Sequence, residues 1–172
     1  MLGVRDVVEQ AQFMRKRGGT FRWGRNEEPW TFAFTSTRTL DEDTSYAYQV
    51  ERSRFDQILL NNARRLGVDV REEHTVSDFL FEGDRVIGIR FSDASGREYQ
   101  ARAMYVADAS GNQTRLAPRI GERPYSKFFR NLALFGYFEN GRRLLPPNEG
   151  NILSVAFRNG WFWYIPLTPR LI

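Results

Sequence analysis

The spacing of hydrophobic residues predicts two amphipathic helices in the N-terminal part of the chain. Between Leu2 and Met14, apolar residues recur at intervals of three and four, as they do on one face of a helix. The same spacing returns from Ser53 to Leu66, with Ser53 expected as the N-cap and Gly67 as the glycine that ends the helix. Between the first helix and the aromatic residues that follow, Arg15 to Gly19 is expected to form a basic, glycine-broken turn.

Alternation of apolar and polar residues predicts strands in the rest of the chain. Thr31 to Phe34 and Tyr46 to Glu51 alternate with a period of two. Thr75 to Ala107 carries three such runs joined by tight turns, which is the pattern of a β-meander. The other elements expected from the pattern are strands at Val68–Arg71, Leu132–Phe138, Ile152–Phe157 and Trp161–Leu167, and a short helix at Asn112–Ala117.

This order of strands and helices predicts a mixed α/β fold. We expect one incomplete domain, because the chain opens on a helix with no strand before it, which would leave sheet edges uncovered. Within it, residues 1–45 carry the first helix and aromatic strands, residues 46–120 carry the central strand, helix and meander, and residues 121–172 begin a further sheet.

Composition narrows the classes of function. With 41% hydrophobic and 27% charged residues, the chain is expected to be globular. The absence of Cys and the single His exclude disulfides, thiolate catalysis and clusters of Cys or His ligands, so we expect no metal site. No apolar run approaches the roughly 20 residues of a membrane span, which favours a cytoplasmic protein without membrane contact. The net charge of +4 is dispersed along the chain, which argues against nucleic-acid binding.

Lysine is rare in this chain, which draws attention to Lys16. Of the 25 Lys and Arg residues, only Lys16 and Lys127 are lysine. A lysine near apolar surface can act as a nucleophile, because desolvation lowers its pKa. The alternative is an ordinary solvated position in a basic turn.

Two tryptophans near the C-terminal end suggest a broad aromatic wall. Strand alternation puts Trp161, Trp163 and Ile165 on one face, and Pro166 ends the strand. Such a wall can line a planar cofactor or keep a substrate away from it. The same pattern is also typical of a core strand filled with bulky side chains.

Two further positions are suited to a phosphate or polyol group. Asp108, Ser110 and Gly111 form a turn of small residues between an apolar segment and a predicted helix, where free backbone N–H groups can approach a ligand closely. Arg52 lies between a predicted strand and helix, where it could meet an anion. The alternatives are a locally capped turn and a surface ion pair.

Together these segments resemble the flavin-dependent halogenases, particularly the branch that acts on phenolic and pyrrole-type substrates. Residues 161–166 match that family's WxWxIP motif at every specified position, and residues 16–24 (KRGGTFRWG) are similar to the stretch that carries its catalytic lysine. Residues 48–56 and 106–117 resemble flavin-contacting segments that FAD hydroxylases share. The resemblance implies a partial FAD-binding fold of the FAD monooxygenase type with a β-meander.

The resemblance also implies a mechanism and a set of partners. Reduced FAD, O2 and chloride would yield hypohalous acid, which Lys16 would hold for attack on an electron-rich aromatic ring. Trp161, Trp163, Ile165 and Pro166 would separate substrate from flavin, while the flavin-contacting residues would be Arg52, Asp108, Ser110 and Gly111. A flavin reductase would supply the reduced cofactor, and the aromatic substrate would be free or tethered to a carrier protein.

The sequence departs from the family at both ends. The family's N-terminal GxGxxG and the region after the WxWxIP strand are absent, so we expect an internal fragment that binds FAD weakly or not at all and does not turn over alone. Two other functions stay open from the sequence. One is another FAD-dependent monooxygenase or oxidoreductase with a tryptophan-rich core strand, and the other is a non-catalytic remnant that binds an aromatic ligand.

Overall fold

The computed structural model describes residues 2–36, 41, 44–111, 114, 117–121 and 124–172. They form two compact units, one made of Met1–Val68 with Leu134–Ile172 and the other of Asp69–Ala133. Both units contain strands and the chain contains helices, so the mixed α/β prediction is confirmed. No helix in the described part of the chain is both long and apolar enough to cross a membrane.

The first unit contains two helices and six strands among its described residues. They are α1 (Arg5–Gln10), β1 (Met14–Lys16), β2 (Gly18–Arg22), β3 (Trp30–Ala33), β4 (Ala47–Gln49), α2 (Arg52–Arg65), β8 (Ile152–Phe157) and β9 (Gly160–Tyr164), with a 3-10 turn at Phe34–Ser36. Strands β1 and β4 pair as a two-stranded antiparallel sheet. The other four form a sheet in the order β3-β2-β8-β9, in which β2 and β8 run parallel and the other pairs antiparallel.

A small apolar core holds α1 and the two-stranded sheet together. Val8, Ala11 and Phe13 are buried, and the half-buried hydrophobic residues packed on them come from β4, α2 and the segments beside them. The Phe13 ring meets Phe55 edge-on at 6.1 Å between centroids. Helix α1 therefore packs against α2 and fixes the point at which β1 begins.

The second unit is built on the predicted β-meander. Its elements are β5 (Thr75–Glu82), β6 (Arg85–Ser92), β7 (Glu98–Arg102) and α3 (Ala117–Ile120). The three strands pair antiparallel in sequence order, so the meander is confirmed, although its last strand is Glu98–Arg102 and not the expected Tyr99–Val106. The helix expected at Asn112–Ala117 lies largely outside the described residues.

The turn expected over Arg15 to Gly19 is wrong. Met14–Lys16 and Gly18–Arg22 are strands, and only Arg17 separates them. Glycine occurs here because of a contact with a residue distant in sequence and not because of a turn. A Cβ on Gly18 would lie 1.9 Å from the carbonyl oxygen of Phe32. Glycine is therefore needed where β2 approaches β3, and a local pattern cannot reveal that approach.

Other elements differ from expectation at their ends or in kind. The first helix is shorter than Leu2–Met14, because Gln12 has a positive φ of 53° and Met14 already pairs with Gln49. Glu51 is the N-cap of α2, not Ser53, whose hydroxyl donates to the Glu51 carboxylate at 3.2 Å. Gly67 does follow the helix with a positive φ of 88°, as predicted.

Two predicted strands are not formed, and one ends early. Val68–Arg71 and Leu132–Phe138 have no strand structure, and the apolar side chains of the second segment are exposed. The Phe138 backbone does pair with that of Ile172, at 3.1 and 2.9 Å, but among the described residues this pairing does not extend over the rest of the segment. Strand β9 ends at Tyr164, three residues before the predicted Leu167, whereas β8 spans Ile152–Phe157 as predicted.

Replacing Asp93 in the β6–β7 turn is expected to lower stability at neutral pH and to flatten its acid dependence. The Asp93 carboxylate accepts hydrogen bonds from the Ser95 hydroxyl at 2.6 Å, the Tyr99 hydroxyl at 2.9 Å and the Arg97 backbone N–H at 3.0 Å. These bonds, the Ser95 hydroxyl first, lower the pKa of Asp93 from 3.8 to about 2. The stabilisation is therefore complete above the ordinary pKa and is lost as the pH falls to about 2.

Thermal unfolding of the chain between about pH 5 and about pH 2 tests this expectation. Asp93→Asn should unfold at a lower temperature than the unchanged chain near pH 5, and the two should converge near pH 2. Asp84→Asn in the β5–β6 turn is the matched control, because the Asp84 carboxylate bonds to none of the residues that the structure describes. Equal behaviour of the two variants would contradict the assignment.

Candidate functional site

Lys16 is the last residue of β1, and its side chain points away from a cation–aromatic cluster. Along β1, Met14 and Lys16 are half-buried and Arg15 is exposed. The Arg15 guanidinium lies 4.4 Å from the centre of the Tyr46 ring. Because strand side chains alternate, Lys16 faces the opposite side. No described residue forms a hydrogen bond or ion pair with the Lys16 side chain.

The tyrosines beside Arg15 form a linked pair. The Tyr46 and Tyr48 hydroxyls are 3.5 Å apart, and the hydrogen bond between them raises the pKa of Tyr48. Arg15 faces both rings, so this side of β1 is an aromatic surface under a guanidinium. Of the two cations in β1, Arg15 therefore faces the tyrosine rings and Lys16 faces the opposite side of the two-stranded sheet.

The backbone on either side of Lys16 is held by the residues that lead into β8. The Arg17 N–H donates to the Asn151 side-chain oxygen at 3.1 Å. The Gln49 side chain donates to the Gly150 carbonyl at 3.4 Å. A Cβ on Gly150 would lie 2.1 Å from the Arg15 carbonyl oxygen, so these two backbones are in close contact. In the sequence, Pro146, Pro147 and Asn148 shortly before Gly150 are typical of a turn, and nothing there signals the contact with Arg15.

The two tryptophans of β9 lie in an aromatic face of the four-stranded sheet. Trp163 is opposite Ser154, Ser154 is opposite Phe21, and Phe21 is opposite Trp30. Residues opposite one another point to the same face, so this row crosses all four strands on one side. Trp161, opposite Ala156, shares that side. Trp161 and Trp163 are 47% and 59% exposed, so they are not core residues of this unit.

The aromatic rings of this face crowd together on the β2 and β3 side. Phe21 stacks on Trp30 at 4.9 Å and on Phe32 at 6.0 Å between ring centres. Gly19 leaves room for this stack, since a Cβ there would be 3.0 Å from the Phe32 ring. Between the stack and Trp163, the Ser154 hydroxyl is buried without a hydrogen-bond partner among the described residues. A buried hydroxyl in that state is costly unless something else completes its bonding.

Strand β9, which carries Trp161 and Trp163, runs toward the end of the sheet at which Lys16 lies. Thr20 is opposite Leu153, and Leu153 is opposite Tyr164, so Ile165 and Pro166 extend toward the start of β2. Lys16 precedes β2 at that end, separated from it by one residue. Strand β9 is two strands away from β2, which is about 10 Å at ordinary strand spacing. Lys16 and the twin-tryptophan strand thus belong to one unit and to connected strands.

Arg52, predicted to contact an anionic ligand, is the first residue of α2. It forms an exposed ion pair with Asp56, with 3.0 Å between Nη2 and Oδ2. The hydrogen bond and charge of Asp56 raise the pKa of Arg52. The surface ion pair that the sequence analysis gave as the alternative is therefore present. The Arg52 guanidinium is still accessible from solvent.

The turn at Asp108, Ser110 and Gly111 belongs to the second unit. The Asp108 carboxylate accepts from the Ser110 N–H at 3.0 Å, which makes a local capped turn. Gly111 has a positive φ of 68°, and a Cβ built on it would meet nothing within 4 Å. A turn of small residues with space beside the glycine for a Cβ leaves room for a ligand to approach closely. Arg52 and this turn lie in different units.

Comparison with known proteins gives consistent relatives over nearly the whole chain. Residues 35–172 match the family described as tryptophan halogenase. The chain is 34% identical over 169 residues to the tryptophan 2-halogenase of Chondromyces crocatus, covering 97% of this chain and 31% of that protein. It is 26% identical over 192 residues to the 1H-pyrrole-2-carbonyl-(peptidyl-carrier protein) chlorinase of Pseudomonas fluorescens, covering 99% and 42%.

Solved structures agree with the fold. The myxobacterial chondrochloren halogenase, described as a variant of FAD-dependent halogenases, is 58% identical with a TM-score of 0.91, and the match covers 99% of this chain and 38% of that one. The flavin-dependent halogenase CmlS is 31% identical with a TM-score of 0.85, covering 98% and 30%. The chain therefore spans about a third of the length of these relatives, and the predicted FAD-halogenase type of fold is confirmed.

Proposed function

Because the chain belongs to the tryptophan halogenase family, we propose that it is the lysine- and tryptophan-bearing part of an FAD-dependent enzyme that halogenates an electron-rich aromatic ring. What supports the proposal is that the strand after Lys16 and the strand with Trp161 and Trp163 belong to one four-stranded sheet. An amine and an aromatic wall at connected strands suit the transfer of a reactive halogen to a ring.

Lys16 is proposed as the catalytic residue. When bound, reduced FAD supplies the electrons with which O2, chloride and a proton become hypohalous acid and water. The Lys16 amine then holds the hypohalous acid, by a hydrogen bond or as an N–Cl bond formed with loss of water. The ring attacks this chlorine and loses a proton. An amine suits the role because a guanidinium stays charged and is a poor nucleophile.

The aromatic wall is proposed to separate two reactions. Trp161, Trp163 and Ile165, followed by the buried Pro166, keep the aromatic substrate from the flavin, so that oxygen is not transferred to the ring directly. Arg52 is proposed as a flavin-contacting residue through its charge. Asp108, Ser110 and Gly111 are proposed separately as flavin-contacting residues, because small side chains permit a close approach.

The proposed substrate is a phenol or pyrrole that is free or tethered to a carrier protein. Two relatives of this chain are named for a pyrrole-2-carbonyl group on a peptidyl-carrier protein. They are the chlorinase of Pseudomonas fluorescens and a brominase of Pseudoalteromonas luteoviolacea. A separate flavin reductase is the proposed source of reduced FAD.

Product analysis tests the proposed function. The enzyme is expressed from its gene with flanking coding sequence and is supplied with FAD, a flavin reductase, NADH, O2 and chloride. Phenols and pyrroles are offered free and carrier-tethered, and products are identified by mass spectrometry. We expect one ring hydrogen to be replaced by chlorine, with the isotope pattern of that element.

The other outcomes separate the rival functions. A hydroxylated product without chlorine would overturn the proposal in favour of an FAD monooxygenase. Saturable quenching of tryptophan fluorescence by the same aromatics, with no product and no effect of FAD, would overturn it in favour of a non-catalytic binding protein.

A further inference from the structure

The residue that ties Lys16 to the rest of the sheet is a buried asparagine. Asn151 is 3% exposed and lies directly before the first residue of β8. Its side-chain oxygen accepts from the Arg17 N–H at 3.1 Å, and its side-chain nitrogen donates to the Asn148 side-chain oxygen at 3.0 Å. Both ends of the amide are thus engaged, one of them with the residue that directly follows Lys16.

Arg17 needs this partner because of where it lies. It separates β1, which pairs with β4, from β2, which pairs with β3 and β8. Its carbonyl accepts from the Phe34 N–H at 2.8 Å, but its own N–H is bonded to the side chain of Asn151. The amide of Asn151 therefore stands in for a strand neighbour at the junction of two sheets.

A second buried amide supports the same junction from the other side. Gln49 is 5% exposed, lies opposite Met14 in the two-stranded sheet and donates to the Gly150 carbonyl. Residues 150 and 151 are thus bonded to the strand paired with β1 and to the residue after β1. They continue into β8, which pairs with the tryptophan strand β9.

We infer that Asn151 is a positioning residue that sets the place of the Lys16 amine relative to the tryptophan strand. The inference rests on the proposed function of Lys16. Without the bond from Arg17 to Asn151, the end of β1 loses one of its restraints, and a displacement of about 1 Å can lower the rate of a positioned reaction by about 100-fold. Hypohalous acid formed upstream would then escape capture and leave the enzyme.

The test measures where the oxidant goes in the enzyme expressed with its flanking sequence. For each variant, three quantities are recorded: O2 consumed, chlorinated substrate formed, and hypohalous acid captured by a β-diketone trap in bulk solution. For Asn151→Ala we expect chlorinated substrate per O2 to fall by about tenfold or more. Trapped hypohalous acid should rise in compensation, while O2 consumption is unchanged. Asn151→Asp, which keeps an oxygen for the Arg17 N–H, should restore most of the chlorination.

A buried asparagine elsewhere in the same unit is the matched control. Asn62 is 8% exposed and is bonded at both ends, to the Leu2 carbonyl at 3.0 Å and to the Arg65 guanidinium at 2.8 Å. Asn62→Ala should lower the unfolding temperature without changing chlorinated product per O2. Asn151→Ser, whose hydroxyl is too short to reach Arg17, repeats the measurement, so that a failure of Asn151→Ala to fold leaves the test intact.

The outcomes distinguish this inference from the proposed function. A product ratio unchanged in Asn151→Ser and Asn151→Ala overturns the positioning role, as does a parallel loss of O2 consumption, flavin content and product. If Lys16→Arg, measured beside them, chlorinates the substrate as well as the unchanged enzyme does, the proposed role of Lys16 is overturned, and if the unchanged enzyme forms no chlorinated product, the proposed function itself is overturned. If Lys16→Arg loses chlorination while the Asn151 variants keep it, only the inference about Asn151 is overturned.

Discussion

Replacing Lys16 with arginine is expected to lower halogenation by at least about 100-fold while O2 consumption by the reduced flavin continues. The amine is proposed to act after hypohalous acid has formed, so its loss should not slow the steps before it. Arginine keeps the positive charge and much of the length, but the guanidinium does not lose its proton and does not take up the halogen. The effect is in the range of a positioned catalytic group.

The chain offers a matched control for this substitution. Lys127 is the other lysine, so Lys127→Arg makes the same chemical change in the second unit. Chlorinated product and O2 consumption are measured for both variants under saturating substrate. Undiminished chlorination in Lys16→Arg, or an equal loss in Lys127→Arg, would remove the role assigned to Lys16.

Placing a methyl group on Gly150 is expected to destabilise the first unit by about 1–3 kcal/mol or more. The added carbon would lie 2.1 Å from the Arg15 carbonyl oxygen and 3.6 Å from the Lys16 Cα. Both are backbone atoms, so no side chain can turn away, and the strand that carries Lys16 would have to move. For a chain of this size, the expected fall in unfolding temperature is about 2–12 °C.

Thermal unfolding followed by circular dichroism measures this effect. Gly121→Ala is the control, because a Cβ there meets nothing within 4 Å among the described residues. We expect Gly121→Ala to unfold within about 2 °C of the unchanged chain. A Gly150→Ala variant as stable as this control would mean that the close approach of Gly150 to Arg15 does not constrain β1.

Elements held by local pattern were predictable from the sequence, and those held by distant contacts were not. Strand β8 and the meander have strong alternation and short turns, so their own residues specify them. Gly18 and Gly19 were misread as a turn because the reason for glycine there is the approach of β3. Leu132–Phe138 alternates as a strand does, yet among the described residues it pairs only at Phe138, with Ile172, so no strand forms.

The same division applies to the candidate site. Lys16 stood out because lysine is rare in the chain, and Trp161 and Trp163 stood out because of their spacing. Asn151 contacts a residue 134 positions away and Gln49 one 101 positions away, and asparagine or glutamine carries no sequence signal of such a contact. Their role became visible only when β1, β4 and β8 were brought together.

The opposite orientations of Arg15 and Lys16 make the length of the α1–β1 connection decisive. The two cations are neighbours in sequence, and only the phase of the strand determines which of them stacks on Tyr46 and which faces the other way. Deleting one residue between Gln10 and Met14 would invert that phase without altering either side chain. The Arg15 guanidinium would then lie on the side where the Lys16 amine is proposed to act, so the length of this loop determines which of the two cations faces that side.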